Sequence, residues 1–156
     1  MRLTTPVGDE LVDLTPYGRL IERWLERELA DNPLLLAVDR DPDVRRWYVR
    51  LRGEQRDFTT IWLTLGQRTL RYETYFMPAP EEQHEAVYEY LLRRNHRLFG
   101  MRFSIGDEDA LYLVGQMPLS AVDETELDRV VGSTYAYVEQ YFRPALALGF
   151  ASRLGA

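Results

Sequence analysis

Three consecutive runs of alternating side chains restrict this chain more than any other feature. In Trp47 to Arg52, Trp47, Val49 and Leu51 face one way while Tyr48, Arg50 and Arg52 face the other, because successive residues of a strand point to opposite sides. In Phe58 to Leu65, Ile61, Leu63 and Leu65 oppose Thr60, Trp62 and Thr64, and Gly66-Gln67 predicts a tight hairpin turn. In Thr69 to Phe76, Leu70, Tyr72 and Phe76 oppose Arg71, Glu73 and Tyr75. Connections this short permit only antiparallel pairing. The result is a meander with one apolar face, which must be buried against another layer.

The flanking segments supply that layer. Thr15-Pro16 reads as an N-cap followed by proline at the first helical position, and Leu20, Ile21, Trp24, Leu25 and Leu29 recur at helical spacing until Asn32-Pro33. Leu34 to Val38 is either a buried strand or a packed connection, followed by a turn at Asp39-Arg40-Asp41-Pro42-Asp43. Pro78 and Pro80 open a second helix with Glu81 and Glu82 in its first turn, Val87, Tyr88, Leu91 and Leu92 as its buried stripe, and Arg93, Arg94 and Arg97 in its last turn. Gly100 is its expected stop.

Met101, Phe103 and Ile105 alternate into a fourth strand, and Ala110 to Met117 returns as a fifth. A last helix begins near Asp123, with Glu126 as capping-box partner, and Pro144 is expected to kink or end it. The reading is α+β: a five-stranded antiparallel sheet with helices in the order α-βββ-α-ββ-α. Residues 15–156 are read as one domain, with 1–14 as a loosely ordered arm, since no repeat or linker divides them.

Composition narrows the chemistry. Among 156 residues there is no Cys and no Lys, so the chain offers no thiolate nucleophile, Schiff base or phosphate-loop lysine. Its 19 basic residues are all Arg, and the net charge is −6, against a broad phosphate-binding surface. Nucleic acid is therefore not an expected partner. The longest apolar run, Leu34 to Val38, is far short of the roughly 20 residues a membrane helix needs. A cytoplasmic, non-enzymatic protein is the expectation, with no cofactor and no metal.

Individual candidates support that expectation. His84 and His96 lie twelve residues apart in one helix, about 18 Å along its axis, and cannot share a zinc ion. Asp107-Glu108-Asp109 lacks the spaced carboxylates and glycine of a calcium loop and reads as a hairpin turn. Ser104, Ser120, Ser133 and Ser152 lack the glycines of a nucleophile elbow. Gly132-Ser133 reads as a close-packing site in the last helix, and Asn95 as an inward polar residue that needs a hydrogen-bond partner.

One surface stands out. Tyr48, Arg50, Arg52, Trp62, Arg71 and Tyr75 project together from the side of the meander opposite Ile61 and Leu63. These are the residue types richest in binding hot spots. The face is covered by the protein's own helix or arm, or solvated with cross-strand pairs to Glu73, or it is a partner or self-association surface.

The stretches Trp47-Tyr48-Val49-Arg50-Leu51, Arg68-Thr69-Leu70-Arg71-Tyr72-Glu73 and Leu91-Leu92-Arg93-Arg94-Asn95 resemble the YbjN family of bacterial proteins, closest to its actinobacterial members. Phe103-Ser104-Ile105-Gly106 and Tyr112-Leu113-Val114-Gly115 add to the likeness, which covers roughly residues 15 to 143. The resemblance implies a type III secretion chaperone-like fold, often paired as a homodimer, and a regulatory role in sensory transduction. The function expected is a protein-interaction module, chaperone-like or adaptor. The alternative is a small-ligand or anion sensor that clamps a carboxylate or phosphate between clustered Arg residues.

Overall fold

Ile61 and Leu63 are fully buried while Trp62 between them is 37% exposed, so the two sides of the meander differ as their alternation requires. The computed structural model describes residues 10–154. In chain order the elements are helix α1 (Thr15–Asp31), strands β1 (Leu35–Arg40), β2 (Arg46–Arg52), β3 (Phe58–Leu65) and β4 (Thr69–Met77), helix α2 (His84–Asn95), strands β5 (Arg102–Ile105) and β6 (Leu111–Pro118), and helix α3 (Glu124–Gly149). All neighbouring strands pair antiparallel in the order β1-β2-β3-β4-β6-β5. The helices lie on one side, where Trp47, Val49, Ile61, Leu63, Leu70, Tyr72 and Leu113 form the core with Ile21, Trp24, Val87, Leu127, Val130 and Val138.

The sheet has six strands among the described residues, not five. Leu35–Arg40 pairs with β2 from Leu35↔Leu51 to Arg40↔Trp47, with a register shift between Leu35 and Ala37. The bulge breaks strict alternation, and a short run without alternation cannot be told from a buried connection. A second bulge between Tyr75 and Met77 makes Phe76 and Met77 consecutive core residues, both fully buried.

Other boundaries follow local chemistry. Gly66 N–H bonds Thr69 O at 2.9 Å, which places the two-residue turn at Gln67-Arg68. Asp123 caps α3 through Oδ1, which accepts from Glu126 N at 2.8 Å, while the Glu126 carboxylate, expected as its capping-box partner, accepts from Arg129 instead. Pro144 does not end α3. The bond it removes belongs to Gln140 O, on a residue exposed to solvent. Glu81 and Glu82 precede α2 instead of forming its first turn: their N–H groups bond Gly149 O, and their carboxylates hold Arg153 and Ser152.

Asn95 meets its requirement at the sheet edge. Its Oδ1 accepts from Phe103 N at 2.7 Å and its Nδ2 donates to Phe103 O at 3.2 Å. One side chain thereby satisfies both backbone groups of a residue on edge strand β5, which also blunts that edge against a foreign strand. Of the arm expected at 1–14, residues 1–9 lie outside the described residues. Val12 bonds the Gln67 side chain through both N–H and C=O, and Leu14 is buried.

Gly132 does not serve close packing. It is exposed, and a Cβ built there meets nothing within 4 Å. Gly132→Ala is accordingly expected to stabilise the protein by about 0.5–1 kcal/mol, since alanine restricts the unfolded chain and favours helix. Thermal or urea denaturation reads this directly, and a destabilised variant would refute it.

Candidate functional site

Among the described residues no helix covers the side of the sheet opposite the core, and the sequence candidates lie there. Register aligns Asp39 with Tyr48, Tyr48 with Trp62, Trp62 with Glu73, Glu73 with Val114 and Val114 with Arg102, a single row across all six strands. A parallel row sets Arg46 beside Thr64, Thr64 beside Arg71 and Arg71 beside Gln116. Directly opposed residues share a face.

Aromatic rings and guanidiniums organise each other here. Tyr48 and Trp62 meet edge to face at 5.5 Å, and Tyr75 meets Tyr112 the same way at 5.7 Å. Arg46 lies over Trp62 at 5.3 Å, and Arg50 over Phe58 at 3.9 Å. Such cation–π contacts contribute about 0.5–1 kcal/mol each at exposed sites and, more to the point, fix long side chains in place. A hollow of about 470 Å³ opens between Tyr48, Arg50, Arg56, Thr60, Trp62 and Tyr75.

Arg56 was not among the expected residues. The bulge in β4 frees the carbonyls of Tyr75 and Phe76, and Arg56 Nη1 donates to both, at 2.6 and 3.0 Å. Its guanidinium also lies 5.5 Å from the Tyr75 ring and 5.3 Å from Phe142. Burial pulls its pKa below the ordinary value, opposed by Tyr75 and Glu139. Burial likewise raises the Tyr75 phenol, against the nearby Arg56. No pattern in the sequence shows this: Arg56 sits in a loop, and its role depends on a bulge between distant residues.

Of the expected set, Tyr48, Arg50, Trp62 and Tyr75 come together around the hollow. Arg52 and Arg71 share the face but sit outside the hollow, paired with Phe58 and with Thr64 and Gln116. Phe58 and Tyr112 join from the strands, and Asp41 accepts from Tyr48 Oη at 3.1 Å. The Asp41 carboxyl is held below its usual range, first by the Asp43 N–H and also by Tyr48 and Arg46.

Elsewhere, a groove of about 350 Å³ runs between α2 and β5, lined by Tyr88, Leu91, Leu92, Phe103, Ile105 and Leu111. Leu92 and Ile105 there are 67% and 51% exposed. His84 and His96 occupy opposite ends of α2, both exposed. Asp107 to Asp109 forms a single turn with left-handed backbone at Glu108 and Asp109. Among the described residues no three metal-ligating side chains converge, and no helix is long and apolar enough to cross a membrane.

Three helices on one side of a strongly antiparallel sheet define a type III secretion chaperone-like fold. The Yersinia pestis type III secretion chaperone SycH, solved in complex with a stable fragment of YscM2, superposes with a TM-score of 0.52 at 17% identity, covering 78% of this chain and 96% of that one. The heterodimeric ExoU-SpcU complex from the Pseudomonas aeruginosa type III secretion system gives 0.52 at 15% identity, over 80% and 98%. At these identities the likeness is one of fold.

The chain belongs to the YbjN family, described as "Putative bacterial sensory transduction regulator", whose sequence pattern matches residues 20–147. An uncharacterized protein of Mycobacterium leprae is 40% identical over 109 residues, 70% of this chain and 59% of its own length. One from Mycobacterium tuberculosis H37Rv is 42% identical over 106 residues, 68% of this chain and 58% of its own. The match thus spans less than two thirds of each relative.

Proposed function

We propose that this chain is a non-enzymatic, cytoplasmic protein-binding adaptor, chaperone-like or regulatory, that works as a homodimer and receives its partner on the helix-free face of the sheet. The observation that carries this reading is Trp62. An indole left 37% exposed between fully buried neighbours, with Tyr48 against its edge and Arg46 over its face, forms an anchor already fixed in position. A preorganised anchor loses little conformational entropy on binding. The structural neighbours were solved as complexes with protein partners, which agrees with the reading at the level of fold.

Trp62→Ala is the test. Loss of the indole removes the contacts with Tyr48 and Arg46, about 0.5–1.5 kcal/mol each, and leaves the core side of the sheet untouched, so the variant is expected to stay folded. Partners recovered from the native host with the wild-type chain are expected to be lost with Trp62→Ala and kept with Leu92→Ala in the other groove. Retention by a folded Trp62→Ala protein would defeat the reading. Sedimentation at micromolar concentration tests the dimer separately, and a strictly monomeric species would remove that part.

A further inference from the structure

We infer that the occupant of this face is an acidic, extended segment of a partner protein, with carboxylates set against the arginines and an apolar side chain against Trp62. The inference rests on the reading above and adds the partner's chemistry. Its basis is charge. The strands place Arg46, Arg50, Arg52, Arg71 and Arg102 on this face and a loop adds Arg56, against Asp39 and Glu73 from the strands and Asp41, bonded to Tyr48, from a turn, although the chain as a whole carries −6. Carboxylates elsewhere outnumber cations, yet the sheet surface that no helix covers among the described residues is cationic.

The strand arginines of this face take part in no ion pair among the described residues. The ion pairs among the described residues join Arg27 to Glu124, Arg40 to Glu22, Arg93 to Glu89, Arg129 to Glu126 and Arg153 to Glu81, all away from this face. Arg46 and Arg50 instead lie over Trp62 and Phe58, and Arg46 Nε donates to Thr64 Oγ1 at 2.9 Å, which leaves its two Nη groups. A guanidinium donates only in its own plane, so a ring against its flat side fixes it while leaving donors for a planar carboxylate. The Trp62 indole, centred among these cations, supplies the apolar contact. Nucleic acid fits less well: Glu73 lies directly beside Trp62 in the central row, where it repels a continuous phosphate backbone, whereas a peptide can place an uncharged side chain there.

The test uses the whole protein and synthetic peptides of about twelve residues, enough to cross several strands. One alternates Glu with Leu; a second replaces each Glu by Gln; a third replaces each Glu by Lys; an oligothymidylate of similar length is the nucleic-acid arm. Binding is followed by labelled-peptide anisotropy, with Trp62 fluorescence as a local reporter, since Trp24 and Trp47 are buried.

The acidic peptide is expected to bind at least roughly tenfold more tightly than the Gln peptide and to weaken as salt rises from about 0.05 to about 0.5 M. Arg50→Glu with Arg71→Glu is expected to reverse the order, favouring the Lys peptide. Equal binding of acidic and Gln peptides, both lost with Trp62→Ala, would overturn the acidic preference and leave the docking face standing. Binding that ignores Trp62→Ala and the arginine reversals alike would overturn both. Tighter binding of the oligothymidylate than of the acidic peptide, or no peptide binding at all, would also overturn the inference.

Discussion

Phe76→Ala is expected to lower the unfolding free energy by about 3–5 kcal/mol, the range for deleting a fully buried phenyl group and leaving a cavity. Phe76 is completely inaccessible. Its ring packs 4.8 Å from Phe103 on β5 and 5.9 Å, edge to face, from Phe142 on α3. It therefore joins the sheet edge to the last helix. The bulge that brings Phe76 and Met77 inward together prevents a simple slip from filling the hole, because Met77 is already buried beside it. At about 2–4 °C per kcal/mol for a chain of this size, the melting temperature should fall by roughly 6–20 °C. Phe142→Ala, at a half-buried position, should cost distinctly less. A Phe76→Ala loss below about 1 kcal/mol would contradict this packing.

The second large effect is expected from one added methyl group. Gly115 on β6 lies directly opposite Tyr72 on β4, and the Tyr72 ring lies across it so that Oη donates to Gly100 O at 2.7 Å. A Cβ built at Gly115 falls 2.9 Å from Tyr72 Cζ, and closer still to Tyr72 Cε2 and the Gly100 carbonyl oxygen. Tyr72 is 2% exposed and cannot swing away without opening the core. Gly115→Ala should therefore destabilise by about 3 kcal/mol, at the upper end of overpacking costs. Combining it with Tyr72→Leu, which removes the ring edge, should recover part of the loss. Denaturant midpoints of the four proteins measure this coupling, and an unperturbed single variant would show that the strands have room to part.

The faces of the central strands were legible because alternation is local. Ile61 and Leu63 in, Trp62 out, Asp123 capping α3 and Asn95 bonded inward all follow from spacing and side-chain chemistry. The first strand was not legible: its pairing with β2 is long-range, and the bulge at its start erases alternation. Arg56 was missed for a related reason, since the carbonyls it satisfies are exposed by a bulge that only the β4–β6 register creates. Gly132 misled because a small helical residue has the same appearance whether it faces a neighbouring helix or water.

The sequence by itself determined which side of each central strand is apolar, that Asp123 caps the last helix, and that the chain has no Cys thiol and no Lys amine. These properties depend on residue type and near neighbours. The tertiary structure decided that all three helices gather on one face and leave the aromatic and guanidinium face free of them. That choice depends on which distant strands pair and where each helix finds its complementary surface, and both are set by packing between residues far apart in the chain.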